Sequence, residues 1–224
     1  MYRLAFAMLA VAMLAGCQPG TPATYVRPIT TVQMPPPPPP PPLWRTRIAD
    51  ADLPRLESLP DDWRQLYGGV RLPVRKLQGA VLDPDAGQPH PALPPGSYRC
   101  RTLHLKRGPA GRAVVQPSPA GFCYISPANE ADDEAPLGLA KQTGTDIVAG
   151  YVFPDGKRYV FLGARQSKAG ANDIGYGNPG ARDVVGMVER FGAFRWRLAV
   201  PGALPGSVDV YELTPVPAEV QPKG

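Results

Sequence analysis

The stretch DIVAGYVFPDGKRYVFL, residues 146–162, decides the fold class of this chain. Its first half alternates in the manner of a strand, with Tyr151 and Phe153 on one face, and its second half returns with Tyr159 and Phe161. The Pro-Asp-Gly-Lys sequence between them predicts a tight turn, because proline presets φ and glycine supplies a positive φ. The stretch therefore predicts a β-hairpin.

Short alternating segments on both sides of this hairpin predict further antiparallel strands. These segments are residues 98–105, 122–125, 183–190, 195–200 and 208–213. With the hairpin they indicate seven or eight strands, within an antiparallel β domain over residues 79–215. Because closure removes exposed strand edges, we expect a small closed or partly closed barrel, lipocalin-like or calycin-like. A two-sheet sandwich is the alternative.

A helical segment, residues 43–78, precedes the strands. Apolar residues recur at nearly helical spacing at Ile48, Leu53, Leu56, Leu59, Trp63 and Leu66. Asp52 is placed to cap a helix that has Pro54 in its first turn. Pro60 interrupts the pattern, so a second helix is expected to start at Asp61 or Asp62. The fold class is therefore mainly β with N-terminal helices packed on the barrel.

The N-terminus has the pattern of a bacterial lipoprotein signal over residues 1–16. The apolar run Leu4–Leu14 is too short to span a bilayer as a helix, but it suits a signal peptide. The sequence Leu14-Ala15-Gly16-Cys17 resembles a lipobox, which makes Cys17 the expected site of diacylglycerol and palmitate attachment. The alternative is an ordinary cleaved signal with an incidental cysteine. Gln18 favours an outer-membrane anchor that faces the periplasm.

Residues 17–42 form the expected tether, and residues 216–224 a flexible tail. The eight prolines Pro35–Pro42 favour a stiff polyproline helix of roughly 25 Å, at about 3.1 Å per residue. We interpret the run as a spacer between the lipid anchor and the folded domain. The alternative is a docking site for a proline-binding partner.

Once Cys17 is lipidated, Cys100 and Cys123 remain as an even pair. In an oxidising compartment such a pair predicts a disulfide, here between two strand candidates. A redox role is not favoured, since the chain has no C-x-x-C motif.

Composition and motifs indicate no cofactor, no metal and no nucleic-acid partner. The formal net charge is only +5, without the aromatic-interleaved basic patch of a nucleic-acid surface. His90 and His104 have no partners at metal-ligand spacing. The glycine string at 175–180, GYGNPG, lacks the strand-then-helix context of a dinucleotide site, so we interpret it as a loop.

Two basic-aromatic segments supply the candidate ligand-binding residues. Arg99 and Arg101 flank Cys100, and Arg195 and Arg197 flank Trp196, so each arginine pair is expected on the exterior face of its strand. A barrel mouth that gathers such arginines would bind an anionic group. The candidates for ligand binding are Arg99, Arg101, Tyr151 and Trp196.

Several segments in order resemble an uncharacterised family of secreted bacterial proteins, domain of unknown function 4893. They are Leu82-Asp83-Pro84-Asp85, residues 93–101 (LPPGSYRCR), residues 141–145 (KQTGT), residues 158–163 (RYVFLG), residues 186–190 (GMVER) and residues 195–198 (RWRL). The resemblance covers about residues 44–215. It implies no activity and no catalytic residues.

Three functions follow from these patterns. The favoured one is a non-catalytic binding domain on a membrane tether, for a small apolar or amphipathic molecule or for an envelope protein. The second is a structural envelope protein without a ligand. The least favoured is an envelope hydrolase that uses Asp83, Asp85 or Glu189 as acid or base. We therefore expect that the protein is not an enzyme.

Overall fold

The computed structural model describes residues 20, 39–127, 136–168, 175–179, 182–217 and 219. The signal peptide, Cys17 and most of the tether lie outside these residues. Contacts divide the chain into two units, Met1–Pro39 and Pro40–Gly224, and the second contains every helix and strand given below. Among the described residues, no helix is both long enough and apolar enough to span a membrane.

Helices form the N-terminal layer of the second unit. A 3₁₀ turn at Leu43–Thr46 is followed by α1, Leu53–Gly69, by α2, Leu72–Gln78, and by a second 3₁₀ turn at Gly79–Val81. One face of α1 buries Leu56, Leu59, Trp63 and Leu66, spaced three or four residues apart as a single helix face requires.

The predicted break at Pro60 is wrong, because α1 continues through it. A proline inside a helix costs about 3 kcal/mol. Each of the large apolar side chains on the buried face contributes about 1.5–3 kcal/mol. Four of them therefore outweigh the lost backbone hydrogen bond. Asp52 stands at the N-cap position as expected, but its carboxylate makes no cap hydrogen bond and instead binds Arg55 and Tyr176.

Nine antiparallel strands follow within the described residues. They are β1 Gly96–Arg107, β2 Ala113–Pro117, β3 Gly121–Ser126, β4 Leu137–Lys141, β5 Val148–Asp155, β6 Arg158–Arg165, β7 Asp183–Gly192, β8 Arg195–Pro201 and β9 Val208–Pro215. From β3 onward each strand pairs with the next one in the chain, and β9 returns to pair with β1 over Tyr98–Leu105. This last pairing closes an eight-strand barrel, so the barrel prediction is confirmed and the sandwich alternative is not.

The ninth strand, β2, extends β3 along the same edge of β1. Pro117 lies opposite Leu103, and Gly121 lies opposite Cys100. The connecting residue Ser118 donates its backbone N–H to Thr102 O at 2.8 Å. The two strands therefore act as one long strand with a short interruption, and Ser118 is held at the interruption.

The barrel wall has a buried layer on each side. Residues inside the barrel include Tyr98, Phe161, Trp196, Leu198 and Leu213, all at most 4% exposed. Outward-facing residues of β1 and β6 to β9, such as Leu103, Met187 and Val210, pack against the helical layer. The strands β8 and β9 are buried on both faces for this reason, and they lack the alternation typical of a half-exposed strand.

The predicted hairpin is confirmed, with Asp155 opposite Arg158 and Gly156 at φ +63° in the turn. The predicted disulfide is confirmed as well: Cys100 and Cys123 are bonded inside the barrel, between β1 and β3. At the C-terminal boundary, Val216 is buried and donates its N–H to Ser97 O. Val216 therefore packs beside the end of β9.

Candidate functional site

A polar cluster lies at one end of the barrel, where β1, β9 and the β2–β3 interruption meet. His104 Nδ1 lies 2.8 Å from Asp209 Oδ1, and His104 Nε2 lies 2.9 Å from Ser118 Oγ. The other oxygen of Asp209, Oδ2, accepts from Arg165 at 2.9 Å. Asp209 is only 4% exposed, whereas a quarter of the His104 side chain is exposed. The cluster therefore has a buried acid and an accessible imidazole.

A second carboxylate, Asp146, borders the same imidazole. Its Oδ2 lies 3.2 Å from His104 Nε2 and also accepts from Ser118 Oγ and Thr145 Oγ1. Burial raises the pKa of Asp146, but the Thr145 hydrogen bond and the nearby His104 and Lys141 outweigh it and hold this pKa below its usual value. Asp146 has φ +58°, a conformation that non-glycine residues rarely adopt.

Lys141 enters the cluster from the barrel interior. Its ammonium donates to Thr102 Oγ1 and to the Thr145 carbonyl, and it lies 5.4 Å from the centre of the Tyr211 ring. Burial lowers the pKa of Lys141, while Asp146 and Asp209 oppose this effect. Burial also raises the pKa of Tyr211 above its usual value. A cleft of about 190 Å³ lies over the cluster, lined by His104, Asp146, Asp209, Leu204 and Ser207 among others.

An aromatic groove lies on the outer face of β3 to β5, which the helical layer leaves uncovered. Tyr124 on β3 and Tyr151 on β5 form its walls, and Gly138, Ala140 and Ala149 form its floor. The groove has a volume of about 340 Å³, and Tyr151 is 58% exposed. It continues into a wider cleft of about 650 Å³ lined by Tyr151, Phe153, Tyr176 and Leu43 among others.

Arg197 makes a buried clamp between β8 and the turn that follows the helices. The expectation that Arg197 is exterior is correct only for its direction, because it points away from Trp196 but is 0% exposed. Its guanidinium donates to Glu189 Oε2 at 2.8 Å and to the carbonyls of residues 80, 81, 83 and 84. It also stacks 4.4 Å from the Trp63 ring. The sequence pattern predicts Arg197 on the exterior face of its strand, and the helical layer covers that face.

Two carboxylates proposed for acid or base chemistry have structural partners at this clamp. Glu189 is paired with Arg197, and Asp83 Oδ1 accepts the backbone N–H of Asp85 at 3.0 Å. Asp85 is exposed and accepts from Arg64 at 2.9 Å. The contacts favour a structural role for all three carboxylates.

A family model spans this whole arrangement. The model described as Domain of unknown function (DUF4893) matches residues 44–213, from the first 3₁₀ turn into β9. The chain belongs to this family. No curated protein and no solved structure matches the chain. The match agrees with the span over which the sequence motifs resemble the family.

The four predicted ligand-binding residues of the DUF4893 domain do not meet at one place. Trp196 is in the barrel core and donates to Pro91 O, whereas Arg101 pairs with Glu212 at 2.6 Å on the outer face. Arg99 is exposed beside the Phe122 ring. Tyr151 lies in the aromatic groove, on the same outer face but two strands away from Phe122.

The sequence patterns missed the polar cluster. Ser118 lies 14 residues and Asp209 lies 105 residues after His104, so no local motif joins the three. Only the β1–β9 pairing brings His104 opposite Asp209. Among the described residues, no group of three or more His, Cys, Asp or Glu side chains is placed to hold a metal ion. Residues 175–179 of the glycine string form a turn fixed to the start of α1 through Tyr176.

Proposed function

We propose that this protein is a lipid-anchored binding domain of the outer membrane that faces the periplasm, with the lipid on Cys17. The sequence Leu14-Ala15-Gly16-Cys17 and the following Gln18 support the anchor and the membrane. The Cys100–Cys123 disulfide supports an oxidising compartment. Labelled palmitate should be incorporated into the wild-type chain and lost in Cys17→Ser; equal labelling of both would contradict the anchor.

The binding surface in this proposal is outside the barrel. The interior is filled by the disulfide and by four aromatic side chains, each at most 4% exposed: Tyr98, Phe161, Trp196 and Tyr211. Close packing of these described interior side chains supports a binding surface on the outside of the barrel. The aromatic groove on β3 to β5 carries the proposal because it combines exposed rings with a floor of small residues.

The chemistry of the groove suits a proline-rich segment. Aromatic-lined grooves bind polyproline II helices, whose extended shape is already formed before binding. Tyr124 and Tyr151 are two strands apart, which corresponds to about 10 Å at the usual strand spacing. That width admits a polyproline helix between the rings. Gly138 keeps this floor flat, and a Cβ there would force Ser126 to move its Oγ.

The occupant that we propose is the proline run of a second copy of this chain. Each chain carries eight consecutive prolines at Pro35–Pro42, and residues 39–42 are exposed. A lipid anchor on every copy would confine the chains to one surface and raise their effective concentration, which favours weak contacts between copies.

A peptide of residues 33–42 (QMPPPPPPPP) tests the groove directly by isothermal titration with the full mature chain. We expect a Kd of about 100 μM, which is about −5.5 kcal/mol. Tyr151→Ala should weaken binding about tenfold, a loss of about 1.4 kcal/mol. Phe194→Ala is the matched control, because Phe194 is exposed but lies in the β7–β8 turn.

The source of the occupant is tested by sedimentation of the mature chain. Self-association that disappears in Tyr151→Ala supports the second copy. Peptide binding without self-association would contradict the second copy and leave another proline-rich protein as the partner. Absence of peptide binding would contradict the groove proposal and favour the structural envelope protein.

A further inference from the structure

We propose that Ser118, His104 and Asp209 form a nucleophilic site that hydrolyses small carboxylic esters. This activity goes beyond the binding function and differs from the sequence-based expectation that the protein is not an enzyme. The observation that carries it is the order of atoms in the polar cluster. A serine oxygen, an imidazole and a carboxylate are connected in series by contacts of 2.9 Å and 2.8 Å.

The two nitrogens of His104 face the partners that this chemistry needs. Asp209 is an acceptor when ionised, so the proton of the neutral imidazole belongs on Nδ1. Nε2 is then left as an acceptor for the Ser118 hydroxyl at 2.9 Å. This is the orientation in which a histidine serves as general base and a buried carboxylate fixes its tautomer. The location of Asp209, 4% exposed beneath the ring, fits that role.

The charged groups around Ser118, His104 and Asp209 come from several strands. Arg165 on β6 binds the far oxygen of Asp209 and fixes the carboxylate in place. Lys141 on β4 lies on the interior side, bound to Thr102 and Thr145. Asp146 Oδ2 lies 3.2 Å from both Ser118 Oγ and His104 Nε2, so it competes with Nε2 for the hydroxyl proton and accepts from Nε2 when the ring is an imidazolium. Attack by Ser118 therefore starts from the state in which its hydroxyl donates to Nε2.

Access and size define the substrate class. The cleft of about 190 Å³ is lined by His104, with Leu204 and Leu105 among its apolar residues. Ser118 is not one of the lining residues, but it is partly exposed and its Oγ lies 2.9 Å from His104 Nε2. Sites for drug-sized ligands usually measure about 300–1,000 Å³. The smaller cleft therefore suits an ester with a short acyl chain, with the apolar leucines beside the chain.

The reaction uses an ester and water and forms an acid and an alcohol. Ser118 Oγ attacks the carbonyl carbon while its proton passes to His104 Nε2, and Asp209 stabilises the imidazolium. The ester C–O bond breaks and His104 returns the proton to the departing alcohol oxygen. Water then attacks the acyl-serine, giving a proton to Nε2, and the acid leaves as Ser118 recovers its proton.

A fluorophosphonate probe tests the nucleophile on the full mature chain, because it labels serines that an adjacent base activates. Mass spectrometry should locate the adduct on Ser118. Labelling should be lost in Ser118→Ala and fall at least 100-fold in His104→Gln. The matched control is Ser58→Ala, since Ser58 is an exposed serine on α1 that donates to Asp62 Oδ2 instead of binding a histidine. It should leave labelling unchanged.

Hydrolysis of p-nitrophenyl acetate gives the second measurement, and the rate should fall at least 100-fold in Ser118→Ala. The proposal is overturned if the wild-type chain carries no adduct on Ser118, a result that needs no variant to fold. It is also overturned if His104→Gln labels as fast as the wild type, or if ester hydrolysis is the same in Ser118→Ala. Peptide binding in the aromatic groove is independent of all three outcomes.

Discussion

Replacement of Arg197 by alanine should be one of the most destabilising single changes in this domain. The side chain is 1% exposed, and it joins the turn at residues 80–84 to strand β8. Arg197→Ala leaves Glu189 as a partly buried carboxylate without its cation and removes the guanidinium donor from four carbonyl oxygens, of which Ala80 O and Asp83 O keep a backbone donor. Removing one partner of a buried ion pair costs about 3–5 kcal/mol.

Arg197→Lys separates the contribution of the charge from that of the planar guanidinium. A lysine ammonium has three donors and no planar fork, so it satisfies fewer of the five acceptors that Arg197 contacts. Arg197→Lys should therefore recover part of the loss and still cost about 1.5–3 kcal/mol, the range for hydrogen bonds to a charged group.

Urea unfolding followed by tryptophan fluorescence is the measurement. Trp44, Trp63 and Trp196 are each at most 4% exposed, so unfolding moves all three rings into water. The control is Arg195→Ala, two residues along the same strand, whose side chain is 45% exposed in its ion pair with Glu212. Glu212 is buried but keeps its second partner, Arg101, so the control should lose only about 0–1 kcal/mol. A loss below about 1 kcal/mol for Arg197→Ala, at unchanged m value, would refute the reasoning.

Two further changes have defined outcomes. Replacing both Cys100 and Cys123 by serine opens a loop of 23 residues and should lower the free energy of unfolding by about 3 kcal/mol; an equal midpoint for the reduced and oxidised wild type would contradict this. Asp146 is expected to cause part of the acid sensitivity. Because its folded-state pKa is held below the ordinary value of 3.8, its carboxylate stabilises the fold above that pH, and this stability is lost as pH falls through the lower folded-state pKa. Asp146→Asn should therefore show a smaller decline in unfolding free energy below about pH 4 than the wild type.

Local chemistry explains which elements the sequence could predict. The β5–β6 hairpin depends on its own turn residues, with Gly156 at a positive φ, so its signal is complete within a short stretch. Strand β4 was missed because Gly138 and Ala140 lack the β-branched and aromatic side chains typical of strands. Strand β2 was missed because it is only five residues long and lies between Pro109 and the Pro117 at its own end, and proline is typical of loops.

Burial and long-range pairing explain the rest. Alternation places Arg197 on the face opposite Trp196, but only the packing of α1 makes that face buried. The contact between His104 and Asp209 depends on the register of two strands at opposite ends of the domain. A single-sequence pattern contains no record of that register, so the polar cluster becomes visible only once the barrel is closed.

The pairing of β1 with β9 also determines when the protein can finish folding. A ribosome releases the chain from the N-terminus, and the partner of the first strand is the last one made. Until Val208–Pro215 emerges, β1 has an open edge, which is the usual starting point for aggregation. The domain therefore depends on completion of its C-terminus, and a chain shortened before β9 should be cleared by proteases rather than accumulate as a partly active fragment.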